Sequence, residues 1–261
     1  MNSTSPAKIP WPYFLLILLF SLPFWWLGSL PGDALNDAIP VNLPISALMV
    51  VCPVLAAAIL TYRAGGLPAV KQLFRRAFDF HRIRRKIWYA PILLLLPFLF
   101  LLAYLIMRLL GRPLPEPRIL LLDALVFFLL YFVSAICEEL GWTAYATDPV
   151  QNRLGALNAG LFLGVFWAVW HAVPYVQANN NAGWIIWQIV YSVATRVLIV
   201  WIYNGTGRSV FAAVLFHAIS NLCWTLFPNY GSHYDPLFTG LLASLAVGIV
   251  VWKRGLEIGD W

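Results

Sequence analysis

Residues 131–145 read YFVSAICEELGWTAY, and two adjacent carboxylates, Glu138 and Glu139, interrupt this otherwise apolar run. A charged side chain at the centre of a bilayer costs about 2.5–3.5 kcal/mol on insertion scales. Such residues usually face a polar cavity or a charged partner, and they mark functional sites. Glu138 and Glu139 are therefore the first candidates for a site inside an apolar bundle.

The composition of the whole chain indicates a membrane protein. Of its 261 residues, 61% are hydrophobic and 11% are charged, whereas soluble domains have roughly 25% charged residues. Apolar runs bounded by charged residues, proline, glycine and asparagine predict eight transmembrane helices. Their predicted limits are 11–30, 41–62, 87–110, 119–146, 156–175, 183–203, 209–227 and 236–252. We therefore expect an all-α polytopic membrane protein with about eight helices in one bundle.

The basic residues predict the orientation of these helices. With a cytoplasmic N-terminus, 13 Lys and Arg residues fall on the cytoplasmic side, among them Lys253 and Arg254. The opposite side then has only Arg108, Arg112 and Arg118. The positive-inside rule therefore predicts that both termini are cytoplasmic, and we expect the protein in a bacterial cytoplasmic membrane. The net charge of +6 follows from this topology, so no nucleic-acid partner is expected.

Eight of these basic residues lie in one loop, residues 63–86, which we call the basic segment. Four apolar residues recur in it at helical spacing: Val70, Phe74, Ala77 and Phe78. Four basic residues fall on its other faces: Lys71, Arg75, Arg76 and Arg82. This pattern predicts an amphipathic helix on the surface of an anionic leaflet.

Three more polar residues lie in later apolar runs, namely His171, His217 and Asn221. His217 and Asn221 are four residues apart and share a helix face. Glu138 and Glu139 are about 100° apart on a helix, so only one can face a cavity while the other bonds to a neighbouring helix. Three helices can thus present a carboxylate, two imidazoles and an amide to one pocket. Such a set suits acid–base hydrolysis of an amide with oxyanion stabilisation.

The predicted limits place these residues at unequal depths. At the helical rise, Glu138 and His217 lie about 13 Å from the cytoplasmic ends of their helices, and His171 about 24 Å. Helix tilt, a fifth helix that begins below the bilayer surface, and errors in the limits are three open explanations.

The order of these residues resembles the three motifs of the CAAX-prenyl-endopeptidase and bacteriocin-processing (CPBP) family of intramembrane proteases. The matching elements, over residues 120–225, are Glu138-Glu139 followed by Gly141-Trp142, an aromatic-rich segment ending in His171, and HAISN at residues 217–221. The resemblance implies a glutamate-dependent endopeptidase of about eight helices with a polar chamber open to the cytosol. It also implies a membrane-associated or lipidated peptide or protein as the substrate, and no cofactor.

The same resemblance assigns roles to the site residues. It implies that Glu138 is the base that activates water together with His171. It implies that His217 and Asn221 stabilise the oxyanion, with Glu139 in support.

This chain departs from the family pattern at two positions. Thr143 stands where the first motif has arginine, four residues after its second glutamate, and Trp167 stands where the second motif has phenylalanine. The aromatic exchange is mild, whereas the lost arginine removes a cation that would hold a carboxylate ionised. We hypothesise that Arg196, a lone cation in the sixth predicted span, takes over this role. The alternative is an arginine whose charged end extends to the interface.

Other functions remain open at this point. A zinc ion held by Glu138, His171 and His217 is one alternative, although the helix lacks the His-Glu-x-x-His spacing. A non-catalytic immunity factor or chaperone-like protein on the same fold is a second, supported by Thr143. A proton-coupled transporter that uses the glutamates as a relay is a third.

The chain is expected to form a single integrated domain with three parts. Residues 1–118 form N-terminal membrane helices with the basic loop, 119–227 form the catalytic CPBP-like core, and 228–261 form the last transmembrane helix and a cytoplasmic tail.

Overall fold

Long apolar segments form helices because a helix pairs its own backbone polar groups in the absence of water. The computed structural model describes residues 8–30, 44–118 and 120–253, and within these ranges it has nine α-helices and no strand. The helices are α1 (Trp11–Leu27), α2 (Cys52–Arg75), α3 (Tyr89–Leu109), α4 (Leu121–Gly141), α5 (Asp148–Leu154), α6 (Ala156–Gln177), α7 (Ala182–Gly205), α8 (Val210–Leu226) and α9 (Pro236–Lys253). Short 3-10 helices lie at Ile45–Val51, Arg76–Phe78, Phe80–Arg82 and Lys86–Trp88, and a π-helix lies at Trp142–Thr147.

These helices confirm the prediction of an all-α polytopic membrane protein. In the described part of the chain, six helical stretches are long and apolar enough to cross a membrane. Two shorter apolar helices, α1 and α8, have 17 residues each. Together they correspond to the eight predicted spans. Residues 41–43 and 119, at the start of two predicted spans, and the predicted tail from Arg254 onwards lie outside the described residues.

The helical run that carries Glu138 is longer than predicted. It extends from Leu121 to Leu154, eight residues beyond the predicted end at residue 146. The chain then reverses at Gly155, whose φ of 79° favours glycine. Glu138 lies 17 residues before this turn and His171 lies 16 residues after it, so both are about 25 Å from it along their helices. Measured from this turn, Glu138 and His171 therefore lie at equal depths.

The buried apolar side chains form two clusters, and the polar site lies between them. One cluster joins α1, α2, α4 and α6, and it includes Ala135, Trp167 and Ala218. The other joins α3, α7, α8 and α9, and it includes Phe216. His217, between Phe216 and Ala218 in the sequence, marks the boundary where residues of both clusters meet.

Two glycines bring α6 and α7 close together, as their small-xxx-small spacing predicts. A Cβ atom at Gly160 would lie 3.0 Å from Val197 Cα, and one at Gly164 would lie 3.0 Å from Val193 Cα. The Gly164 Cβ would also lie 3.2 Å from Arg196 Cβ. The close contact thus lies directly beside the buried arginine.

The basic segment departs in part from the predicted amphipathic helix. Its helix is broken at Gly65 and Gly66, where the backbone leaves helical geometry, and it resumes up to Arg75. Phe74 and Phe78 are exposed, at 46% and 56%, as expected for a face that meets lipid. Ala77 is buried, so the predicted apolar face is divided between lipid and protein.

Arg76, which was predicted to lie on a basic face of a helix at the leaflet surface, contacts the protein core. Its Nη1 donates to the Ala144 carbonyl oxygen (3.0 Å), in the π-helix, and its Nη2 donates to Tyr203 Oη (2.8 Å). The Arg76 guanidinium therefore links the basic segment to the π-helix and to α7 by hydrogen bonds.

Asp79 makes a second tie between the basic segment and the core. This buried carboxylate accepts hydrogen bonds at Oδ1 from Ser209 Oγ (2.8 Å) and from the Phe211 amide (3.1 Å). It therefore satisfies one of the unpaired amides at the start of α8. These contacts fix the basic segment against the α7–α8 turn.

Candidate active site

Four helices position the predicted site residues. Glu138 and Glu139 lie in the last turn of α4, Trp167 and His171 lie on α6, Arg196 lies in the middle of α7, and His217 and Asn221 lie on α8. The 100° separation of the two glutamates sends their carboxylates to different neighbours, as expected from helix geometry. Glu138 contacts α6, whereas Glu139 contacts α7 and α8.

Glu139 has three side-chain donors and no exposed surface. Its Oε2 accepts from Arg196 Nη1 at 2.8 Å and from the hydroxyl of Thr143. Its Oε1 faces His217 Nδ1 at 2.8 Å. A buried carboxylate is stable only when charge and hydrogen bonds compensate its lost hydration, and here both are present.

Arg196 lies inside the site and does not extend to the membrane interface. Its side chain is 0% exposed and pairs with Glu139. Its guanidinium carbon lies 4.4 Å from the centroid of the Trp167 ring, over its face, which is the geometry of a cation–π contact. Nε and Nη2 of Arg196 have no hydrogen-bond partner among the described residues.

Trp167 contacts four of the predicted site residues. Its Nε1 donates to Glu138 Oε2 at 2.7 Å, and its ring carries the Arg196 contact. The rings of His171 and His217 meet it edge-on, with centroids 5.1 and 5.3 Å away. Treating this position as a mild aromatic exchange missed the indole N–H, which a phenylalanine lacks. The signal in the sequence was the tryptophan itself.

His171 and Asn221 are half-buried, whereas Glu138, Glu139, Arg196 and His217 are buried. Nδ1 of His171 lies 2.9 Å from the Trp167 carbonyl oxygen on the same helix, a contact that favours a proton on Nδ1 and an unprotonated Nε2. Asn221 lies one turn beyond His217 and makes no side-chain hydrogen bond to the described residues. Glu139 and Arg196 form the dry side.

The arrangement therefore combines three chemical capacities. Glu138 is a carboxylate oriented by one donor, and its Oε1 accepts no hydrogen bond from the described residues. His171, which is half-buried, offers a ring nitrogen. His217 and Asn221 supply groups that are able to donate to a developing negative charge in a medium of low dielectric constant. A base, a second proton acceptor and oxyanion donors are the components of water-mediated acyl transfer.

Zinc held by Glu138, His171 and His217 stays an alternative. Within the described residues, no three His, Cys, Asp or Glu side chains are grouped so that they would hold a metal ion. Trp167 occupies Glu138 Oε2 and Glu139 occupies Nδ1 of His217, so the other carboxylate oxygen and Nε2 are the atoms that a metal ion would contact. The absence of a cofactor remains a prediction.

The fold and the site together define a polytopic membrane protein with a buried glutamate–histidine centre. Residues 118–223 match the family model described as Type II CAAX prenyl endopeptidase Rce1-like. The chain is also similar to CAAX prenyl protease 2 of Methanococcus maripaludis, with 25% identity over 257 residues that cover 93% of each chain. The resemblance seen in the motifs is thus confirmed over residues 118–223, which are similar to the Rce1-like CAAX protease family. That family is one of hydrolases, and the matched range contains all the predicted site residues.

Proposed function

We propose that the protein is a glutamate-dependent intramembrane endopeptidase that cuts membrane-associated or lipidated peptides or proteins. The observation that carries this proposal is the buried Glu138, which is oriented by Trp167, the residue whose ring also contacts the half-buried His171. The similarity to a protein named CAAX prenyl protease 2 supports a lipidated substrate class.

In the proposed reaction, Glu138 takes a proton from a water molecule that His171 Nε2 also holds. The oxygen attacks the scissile carbonyl carbon, and the carbonyl oxygen becomes an oxyanion. His217 and Asn221 donate hydrogen bonds to it. Glu138 then gives its proton to the leaving amine as the C–N bond breaks, so that water and amide become acid and amine.

The position of His217 adds a requirement to this mechanism. Its Nδ1 lies 2.8 Å from Glu139 Oε1, so an N–H group at Nδ1 donates a hydrogen bond to the carboxylate. The nitrogen of His217 that faces the oxyanion is then Nε2. Glu139, itself held by Arg196 and Thr143, fixes the orientation of the imidazole ring.

The test is a cleavage assay with the purified protein in detergent. The wild type and Glu138→Gln are compared on a panel of fluorogenic peptides that includes a lipidated one, with and without a chelator. Glu116→Gln, which changes an exposed carboxylate on the loop after α3, is the matched control. We expect Glu138→Gln to lower kcat by at least about 10²-fold and the control and chelator to have no effect.

Other outcomes separate the alternatives. Cleavage that disappears with chelator would favour the zinc centre. Full biological function in Glu138→Gln would favour a non-catalytic immunity or chaperone-like protein, for which Thr143 is the motif evidence. Proton-coupled uptake into liposomes would favour transport.

The proposal also includes an orientation with both termini in the cytosol. Arg76 donates to the Arg208 carbonyl oxygen at 3.1 Å, which supports placing the basic segment and the α7–α8 turn at the same end of the bundle. Single cysteines introduced at Arg84 and Arg112, which lie at opposite ends, test this by labelling from outside sealed cells. Labelling at position 84 would overturn it.

A further inference from the structure

Two side chains, Thr143 and Arg196, donate hydrogen bonds to the same carboxylate oxygen of Glu139, Oε2. Residue 143 lies one helical turn after Glu139, so its side chain points at the same carboxylate. An arginine at position 143 and the arginine at position 196 would therefore occupy the same place.

That place holds one cation without contact with water. Arg196, Glu139 and Thr143 are at most 1% exposed. A second guanidinium there would lose its hydration and face a like charge across a space of low dielectric constant. The net charge next to Glu139 is therefore limited to a single arginine.

The two departures from the family pattern meet at this cation. Thr143 replaces the motif arginine, and Trp167 provides the aromatic face on which Arg196 rests at 4.4 Å. Tryptophan binds a cation more strongly than phenylalanine does. The same indole also donates to Glu138. One side chain thus connects the cation that serves Glu139 with the proposed base.

We propose that the site is built for one buried guanidinium beside Glu139, provided in this chain by Arg196, and that Trp167 is a positioning residue for both this cation and Glu138. The inference rests on the proposed function for its effect on catalysis. The part of the inference that limits the site to one guanidinium is also tested by the unfolding midpoint, without any measurement of activity.

The first experiment measures the interaction between positions 143 and 196. The variants are Thr143→Arg, Arg196→Gln and the double variant, in the full-length protein in detergent. Thr143→Met, in both backgrounds, is the matched control for the added volume. For each variant, kcat, KM and the midpoint of thermal unfolding are measured.

Restoring the motif arginine alone is expected to be harmful. Thr143→Arg should lower kcat by about tenfold relative to Thr143→Met, because two guanidiniums then share one carboxylate. Arg196→Gln should lower kcat by about 10²-fold, because Glu139 loses its cation. In the Arg196→Gln background, Thr143→Arg should raise both kcat and the unfolding midpoint above those of Thr143→Met. The single-cation proposal would be overturned if Thr143→Arg, compared with Thr143→Met, changed kcat and the unfolding midpoint in the same direction in the wild-type and Arg196→Gln backgrounds.

The second experiment tests Trp167. Trp167→Phe keeps an aromatic ring and removes the N–H, and it should lower kcat by about tenfold with KM nearly unchanged. The matched control is Trp142→Phe, another fully buried tryptophan whose Nε1 has no partner among the described residues. The loss caused by Trp167→Phe should be smaller when the cation comes from position 143. Equal losses in both backgrounds, or a loss as large in the control, would refute the positioning role.

The unfolding data keep this inference separate from the proposed function. If the wild type cuts no peptide but the unfolding midpoints show the reversal of sign, the single-cation proposal stands and the protease proposal fails. If the wild type is active and the reversal of sign is absent from both kcat and the midpoints, the protease proposal stands and the single-cation proposal fails.

Discussion

Two arginine–carboxylate pairs among the described residues differ sharply in burial: one lies in the dry centre and one at the end that carries the basic segment. In the centre, Arg196 and Glu139 are 2.8 Å apart and both side chains are 0% exposed. At the end, Arg208 and Asp148 are 3.7 Å apart with side chains 52% and 29% exposed. Water can replace a lost partner at the end but not in the centre. The same pair of residue types is therefore a condition for folding in one region and a minor contact in the other.

The largest effect is expected from Arg196→Met. It leaves the buried charge of Glu139 with only the Thr143 hydroxyl and His217 as partners, and the free energy of unfolding should fall by about 3–5 kcal/mol. The measurement is equilibrium unfolding in mixed micelles, with Arg208→Met as the matched control. Adding Glu139→Gln to Arg196→Met should recover part of the loss, because the unpaired charge is removed. Equal small losses at positions 196 and 208 would show that the centre is hydrated.

An intermediate effect is expected from Asp79→Ala. Asp79 is slightly more exposed than the central pair and much less exposed than Arg208 and Asp148. The change leaves Ser209 Oγ and the Phe211 amide without their acceptor, at a cost of about 1–3 kcal/mol. Amide exchange in the first turn of α8 should become faster. Asp79→Asn retains an acceptor oxygen and should lose less; a loss as large as that of alanine would indicate that the charge, through Arg82, is what matters.

A small effect is expected from Arg208→Gln. Its exposed pair with Asp148 should contribute about 0–1 kcal/mol. Salt screens such pairs, so the difference from the wild type should shrink as ionic strength rises. A salt-independent loss above this range would place Arg208 in the core network.

The smallest effect is expected at the opposite end, where Tyr230 donates to Asp123. This hydrogen bond raises the pKa of Tyr230 above its ordinary value. Because the folded-state pKa is raised, the contribution is complete below the unfolded-state pKa near 10 and is lost as pH rises through the folded-state pKa. Tyr230→Phe should therefore match the wild type only in strongly alkaline solution. Unfolding midpoints that differ by the same amount at every pH would contradict this.

Much of the site was predictable because charge in an apolar run is informative. Glu138, Glu139, His171, His217 and Arg196 were all selected from the sequence, and the structure brings them together around Trp167. Periodicity gives the face on which a residue lies and therefore separated the roles of the two glutamates.

Other features could not be predicted from the same signals. Hydropathy placed a helix end at residue 146, but the run continues through a π-helix to Leu154, because polar residues there pair with each other and with α7. Basic residues looked alike in the sequence, although Arg76 turns inward to contact two core helices. The partner of each polar side chain depends on its rotamer and on how the helices pack. Neither of these can be predicted from the periodicity of the sequence.

The close approach of α6 to α7 at Gly160 and Gly164 determines where this molecule is able to open. Backbone lies against backbone there, so the two helices cannot slide without moving the guanidinium across the indole. The first half of α4 has no glycine contact of this kind. In the helical run Leu121–Leu154, 17% of the most apolar 18-residue window is buried, and Leu121 and Leu122 are 85% and 70% exposed. If the protein cuts lipid-borne chains as proposed, we expect such a chain to approach the site along α4 while α6 and α7 keep their relative position.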